Sequence, residues 1–199
     1  MGTGKPLRVG LFVFDDAEEL DVVGPYEVLA SWELHSDLHP EVVTFSADGA
    51  GVRCAKGLRL VPATSAADVG PLHVLIYPGG RGTRALAADP EHLHWVRQMR
   101  ETTPVLASVC TGALVFAAAG LLAGRPATTH WNAFDELVEL DPSIIVDTEA
   151  RWVDDGDTVT SAGVSAGIDM ALHLVDRLES TDMARRVRRG IQYDPEPPV

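Results

Sequence analysis

Cysteine is nearly absent: the chain has two, Cys54 and Cys110, in 199 residues. That excludes a disulfide-stapled secreted scaffold, and no Cys or His spacing fits a structural zinc site. Basic residues are also scarce, 16 Lys and Arg against 29 Asp and Glu, which gives a formal charge of −13 and a pI near 4.8. A surface of that sign repels nucleic acid and anionic membranes, so neither is an expected partner. No apolar run approaches the roughly 18 residues that span a bilayer, and the polar lead of residues 1–6 carries no signal-like apolar core. These absences point to a cytoplasmic protein in a reducing compartment. Internal repeats and low-complexity tracts are missing too.

What is present, 46% hydrophobic and 23% charged residues, suits one domain with a sizeable core over residues 1–199, with 1–6 and 194–199 as tails. Residues 7–14 (LRVGLFVF), 73–77 (HVLIY) and 104–109 (PVLASV) are apolar runs too short for helices and read as buried strands. Residues 42–45, 58–61, 144–146, 151–153 and 158–160 read as further strands, the last two joined around Asp155-Gly156. Helices are expected from Gly24-Pro25 to about Glu33, with Pro25 in the first turn, and over 85–100, interrupted where Asp89 caps and Pro90 restarts. Others are expected over 111–122 with Gly124 as the stop, and over 132–140, 165–178 and 181–190. Alternating buried strands and helices predict an α/β fold: a doubly wound, mainly parallel sheet with helices on both faces.

The most informative stretch is Ser108-Val109-Cys110-Thr111-Gly112, a cysteine at a strand's carboxyl end and a helix's N-terminus. Ligands bind at that edge of such sheets, and first-turn amides favour an anion there, so a lowered thiol pKa is expected. The other reading of Cys110 is a small, inert buried residue. Gly79 and Gly80 follow another strand and, with the Thr111 amide, are candidate donors to charge developing near Cys110, or else a tight turn. Asp21 sits among Leu20, Val22 and Val23, either as a desolvated carboxyl that shuttles a proton or as a cap where the helix starts. His130 is a candidate partner for the thiol or a hydrogen-bonded structural histidine. His35, His39, His73, His92, His94 and His173 have no metal-binding spacing, and nothing near Cys54 activates it.

The segments LFVFDDAEELDVVGPYEVL, IYPGG, SVCTGALVFAAAGLLAGRPATTHW and SAGVSAGIDMALHLV, in this order, resemble successive motifs of the ThiJ/PfpI superfamily. The resemblance implies a class I glutamine amidotransferase-like, flavodoxin-like fold and a homodimer. It is closest to the isonitrile hydratase branch, whose LDLTGP pattern corresponds to LDVVGP around Asp21, and the C-terminal QYDPEPP also resembles that branch. It implies hydration of a small-molecule isocyanide to a formamide without metal or organic cofactor. Cys110 would be the nucleophile, Asp21 the proton carrier, Thr111 the adjacent hydroxyl and Gly79 and Gly80 backbone donors. Two positions differ: LDVVGP lacks the branch's hydroxyl residue, and Arg81 follows the PGG turn where that branch carries a smaller residue. Thr111 after the cysteine differs from the histidine of the intracellular-protease branch, and Asp21 from the glutamate of the glyoxalase branch. The motifs also resemble ligand-sensing domains of AraC-type regulators, here without a DNA-binding region, so a ligand or redox sensor is the alternative expectation.

Overall fold

The computed structural model describes residues 6–195. Most of both expected tails, residues 1–5 and 196–199, lies outside the described residues. In chain order the elements begin with β1 (Arg8–Phe12), α1 (Glu19–His35), β2 (Glu41–Ser46), β3 (Val52–Arg53), β4 (Arg59–Leu60), β5 (Thr64–Ser65) and β6 (Val74–Tyr77). They continue with α2 (Thr83–Ala87), α3 (Pro90–Thr102), β7 (Val105–Val109), α4 (Gly112–Ala118), β8 (Pro126–Ala127) and α5 (Phe134–Leu140). The last are β9 (Ile145–Val146), β10 (Trp152–Asp154), β11 (Thr158–Ser161), α6 (Ala166–Leu178) and α7 (Thr181–Gly190).

Seven strands form one sheet in the order β10-β11-β7-β6-β1-β2-β5. All neighbours run parallel except the edge pair β10 and β11, which turn through Gly156 at φ +83°. The central order is that of a flavodoxin-like doubly wound sheet, as the alternating pattern predicts. Each central strand is apolar on both faces because both are covered. Val9, Leu11, Val74, Ile76, Val105, Ala107 and Val109 point to one side, where Val28, Leu29 and Trp32 of α1 and Met170 and Leu174 of α6 cover them. Phe12, Leu75, Tyr77 and Leu106 point to the other, packing with Leu114 and Phe116 of α4 and Leu137 of α5. Fully burying a side chain of this size contributes about 1.5–3 kcal/mol.

Three local readings need correction. Helix α1 starts at Glu19, not at Pro25, so Pro25 lies inside it and Asp21 in its first turn. The bond lost at Pro25 would have run to the carbonyl of Asp21, a local cost that the buried face of α1 offsets. Helix α4 ends at Ala118, before Gly120 at φ +79°, rather than running to Leu122 and Gly124. The helix expected over 132–140 begins as a short 3-10 turn, Trp131–Ala133, and becomes α-helical at Phe134. By contrast, Asp89 caps α3 by accepting from the Glu91 N–H at 3.0 Å, with Pro90 in the first turn.

Candidate active site

Register brings the site together. Tyr77 of β6 lies opposite Ser108 of β7, and Ser161 of β11 opposite Val109, so the turns leaving these strands emerge side by side. Cys110 occupies the turn between β7 and α4 at φ +56°, a left-handed conformation that costs a non-glycine residue about 1–3 kcal/mol. Its N–H donates to the carbonyls of Ser161 at 3.1 Å and Ala162 at 3.2 Å, and its carbonyl accepts from Thr129 Oγ1 at 2.7 Å. The next residues pack closely: a Cβ on Gly112 would lie 2.5 Å from the Tyr77 carbonyl oxygen.

Asp21 is fully buried. The Gly79 N–H donates to its Oδ2 at 2.9 Å, while its buried Oδ1 has no hydrogen-bond partner among the described residues. A Cβ on Gly79 would stand 2.8 Å from Asp21 Oδ2, 2.8 Å from Cys110 Cβ and 2.6 Å from the Thr111 nitrogen, so these three groups converge on a bare Cα. Asp21 faces Cys110 closely enough for each group to act on the other's ionisation. Burial pushes the Asp21 pKa up to about 7, with the Glu18 carboxylate adding to the rise and the Gly79 N–H opposing it. Of the two readings of Asp21, the desolvated carboxyl fits this environment; the cap position belongs to Glu18.

The thiol departs from expectation. Burial, and next the facing Asp21 carboxylate, push the Cys110 pKa up to about 12, against the backbone N–H groups of Thr111 and Val164 and the Thr111 side chain. The resting site therefore holds a thiol against an ionisable carboxyl rather than a preformed thiolate. The short helix α4 offers few amides, and desolvation of the sulfur outweighs them.

The Gly79 and Gly80 amides each have a protein acceptor in this structure: Asp21 Oδ2 for Gly79, and Thr111 Oγ1 at 2.9 Å for Gly80. Gly80 sits at φ +125°, where a Cβ would lie 2.3 Å from the Asp16 carbonyl oxygen. Thr83 Oγ1 donates to the Gly80 carbonyl at 2.7 Å and lies 3.2 Å from Thr111 Oγ1. His130 packs its ring on Gly163, pairs with the Asn132 side chain, and lines the cleft outside Thr111 without hydrogen-bonding to Cys110. Cys54 is buried, and its pKa is raised by burial and the acidic side chains of Glu19, Asp15 and Glu18.

Thr83, Thr129 and Val164 escaped the sequence reading. Val164 follows β11 at φ +51°, unusual for a β-branched residue, and its backbone N–H opposes the rise of the Cys110 pKa. The signal for it was its place just past a buried strand, within SAGVSAG. Among the described residues no cluster of His, Cys, Asp and Glu is placed to hold a metal ion, and no helix is long and apolar enough to cross a membrane.

A cysteine on a strained strand-to-helix turn, a buried carboxyl beside it and a flavodoxin-like sheet beneath define an α/β protein with a cysteine-centred site. Residues 7–177 match the DJ-1/PfpI family, and the chain belongs to that family. Isonitrile hydratase of Pseudomonas putida is 39% identical over 192 residues, covering 96% of this chain and 81% of that protein. The HTH-type transcriptional regulator CdhR of Pseudomonas aeruginosa is 34% identical over 157 residues, covering 77% of this chain but 45% of the regulator. The crystal structure of a ThiJ/PfpI family protein from Pseudomonas syringae matches with a TM-score of 0.87 at 32% identity, covering 98% of this chain and 78% of that one. Drosophila melanogaster DJ-1beta, at 21% identity and a TM-score of 0.84, covers 96% of this chain and 100% of that one and shares the fold.

Proposed function

We propose that this chain adds water to a small-molecule isocyanide and releases an N-substituted formamide through a thioimidate on Cys110, without a metal or organic cofactor. The observation that carries the reading is the buried Asp21 carboxyl, held by Gly79 against the Cys110 thiol, with a pKa near neutrality and one oxygen without a partner. The 39% identity to isonitrile hydratase supports it.

In the first step the Asp21 carboxylate takes the thiol proton as sulfur attacks the electron-poor isocyanide carbon. The same carboxyl then delivers that proton to the carbon, so S–H adds across it and leaves the thioimidate R–N=CH–S–Cys110. A carboxylate with a pKa near 7 is a stronger base than an ordinary one and still returns the proton readily. Water next attacks the thioimidate carbon while Asp21 accepts its proton. Nitrogen is protonated, the C–S bond breaks, sulfur recovers a proton, and R–NH–CHO leaves. The Gly79 N–H keeps the carboxyl aimed at sulfur, Thr111 fixes the Gly80 turn, and the Thr111 N–H steadies negative charge on sulfur.

The test is formamide formation from para-nitrophenyl isocyanide, with Cys110→Ala as control. Turnover lost in the variant supports the reading. No turnover by folded, reduced wild type overturns it and favours binding without chemistry, a second reading that rests on the 34% identity to a transcriptional regulator.

A further inference from the structure

The chemistry at Cys110 uses only the isocyano carbon and leaves the rest of the substrate unrecognised. The cleft outside Thr111 measures about 160 Å³ and is lined by Glu18, Lys56, Gly80, Arg81, Arg84 and His130. That is close to the volume (~150 Å³) known to hold one benzene ring. Two of its three basic side chains have partners: Lys56 pairs with Glu18, and Arg84 grips Glu136 through Nε at 3.0 Å and Nη2 at 2.7 Å. Arg81 is exposed and its side chain has no hydrogen bond or ion pair among the described residues. Its backbone is nevertheless well fixed, because the preceding Gly80 carbonyl accepts from Thr83 Oγ1 at 2.7 Å and from Arg84 Nη1 at 3.3 Å. In a chain of charge −13, Arg81 sets an unpaired guanidinium on a firm turn at a cleft that Thr111, the residue after Cys110, also lines.

Resting on the hydratase reading, we infer that the preferred substrates carry an anionic group, a carboxylate, on the side away from the isocyano carbon, and that Arg81 binds it. A guanidinium presents two parallel N–H groups that match a carboxylate, and this contact positions the isocyano end without taking part in the chemistry.

The experiment compares 4-isocyanobenzoate with its methyl ester, which differ in charge but share the ring and the reacting group. Wild type is expected to favour the acid in kcat/KM, mainly through KM. In Arg81→Gln the acid-to-ester ratio falls about fivefold, and Arg81→Lys retains part of it. Raising the ionic strength lowers the wild-type ratio in the same direction. If the ester is the better wild-type substrate, or the ratio does not move in Arg81→Gln, the inference fails while the hydratase reading stands. If neither compound turns over, the hydratase reading fails, and calorimetry of both compounds with Cys110→Ala decides the ligand class. Tighter binding of the acid that is lost in Cys110→Ala/Arg81→Gln upholds it, and equal binding overturns it.

Discussion

The two ends of the parallel sheet differ in what they gather. At the amino ends of the strands, arginines bind carboxylates and stray carbonyls. Arg8 pairs with Glu41 at 3.0 Å, and Arg100 donates to the carbonyls of Asp157 at 2.6 Å and Pro104 at 3.0 Å. Arg125 bridges Asp155 and Asp157 and donates to the Asp155 carbonyl at 2.7 Å. At the carboxyl ends, Asp16, Gly80, Cys110 and Val164 all have positive φ, and Asp21 holds a buried oxygen without a partner. Both ends leave buried polar atoms without a partner among the described residues, Arg8 Nε and Thr103 Oγ1 at the amino ends and Asp21 Oδ1 at the carboxyl ends, but the carboxyl ends gather three non-glycine positive-φ residues, Asp16, Cys110 and Val164, against His39 at the amino ends.

Cys110→Ala sharpens the contrast most: formamide formation falls by about 10³-fold or more while the protein still folds, because alanine keeps the same left-handed backbone and loses only the sulfur. Asp21→Asn lowers kcat by about 10²-fold, measured at saturating isocyanide. It also acts on stability. The folded Asp21 pKa of about 7 lies above the ordinary 3.8, so its contribution is fully present below 3.8 and is lost as pH rises through about 7. Asp21→Asn lacks that loss, so its melting temperature relative to wild type climbs between pH 4 and pH 8, corresponding to about 2–4 kcal/mol. A constant difference across that range breaks the contrast. Gly80→Ala forces a Cβ to within 2.3 Å of the Asp16 carbonyl oxygen and lowers denaturant stability by about 2–3 kcal/mol, with activity lost alongside. Arg125→Ala, at the opposite end, lowers stability by about 1 kcal/mol after screening of its half-exposed partners and leaves kcat unchanged. A large loss of kcat in that variant breaks the separation of the two ends.

Much of this division can be read in the chain. The runs around Leu11, Ile76 and Ala107 are apolar at nearly every position, on both faces, because helices cover both, so their placement as central strands needs no knowledge of contacts. Cys110 and the PGG turn stand out because each directly follows such a run. The start of α1 was misread because Pro25 looks like a first-turn residue, whereas the burial of Val22, Val28 and Leu29 carries the helix through it. The two-residue strands β5 and β8 are too short to leave a period. The thiol was misjudged for a different reason. A helix N-terminus is visible in sequence, but the enclosure of the sulfur and the approach of Asp21 from the first turn of α1 are not, and these decide the sign of the shift.

The central claim is that Asp21 and Cys110 work as one proton-transferring pair. It is tested most directly by the pH dependence of kcat/KM for para-nitrophenyl isocyanide in wild type and Asp21→Asn. Taking the thiol proton requires the ionised carboxyl, so the wild-type rate rises with pH through one ionisation near 7, and the low residual rate of Asp21→Asn lacks that ionisation. Wild-type rates in Asp21→Asn, or a wild-type profile flat through pH 7, contradict the account.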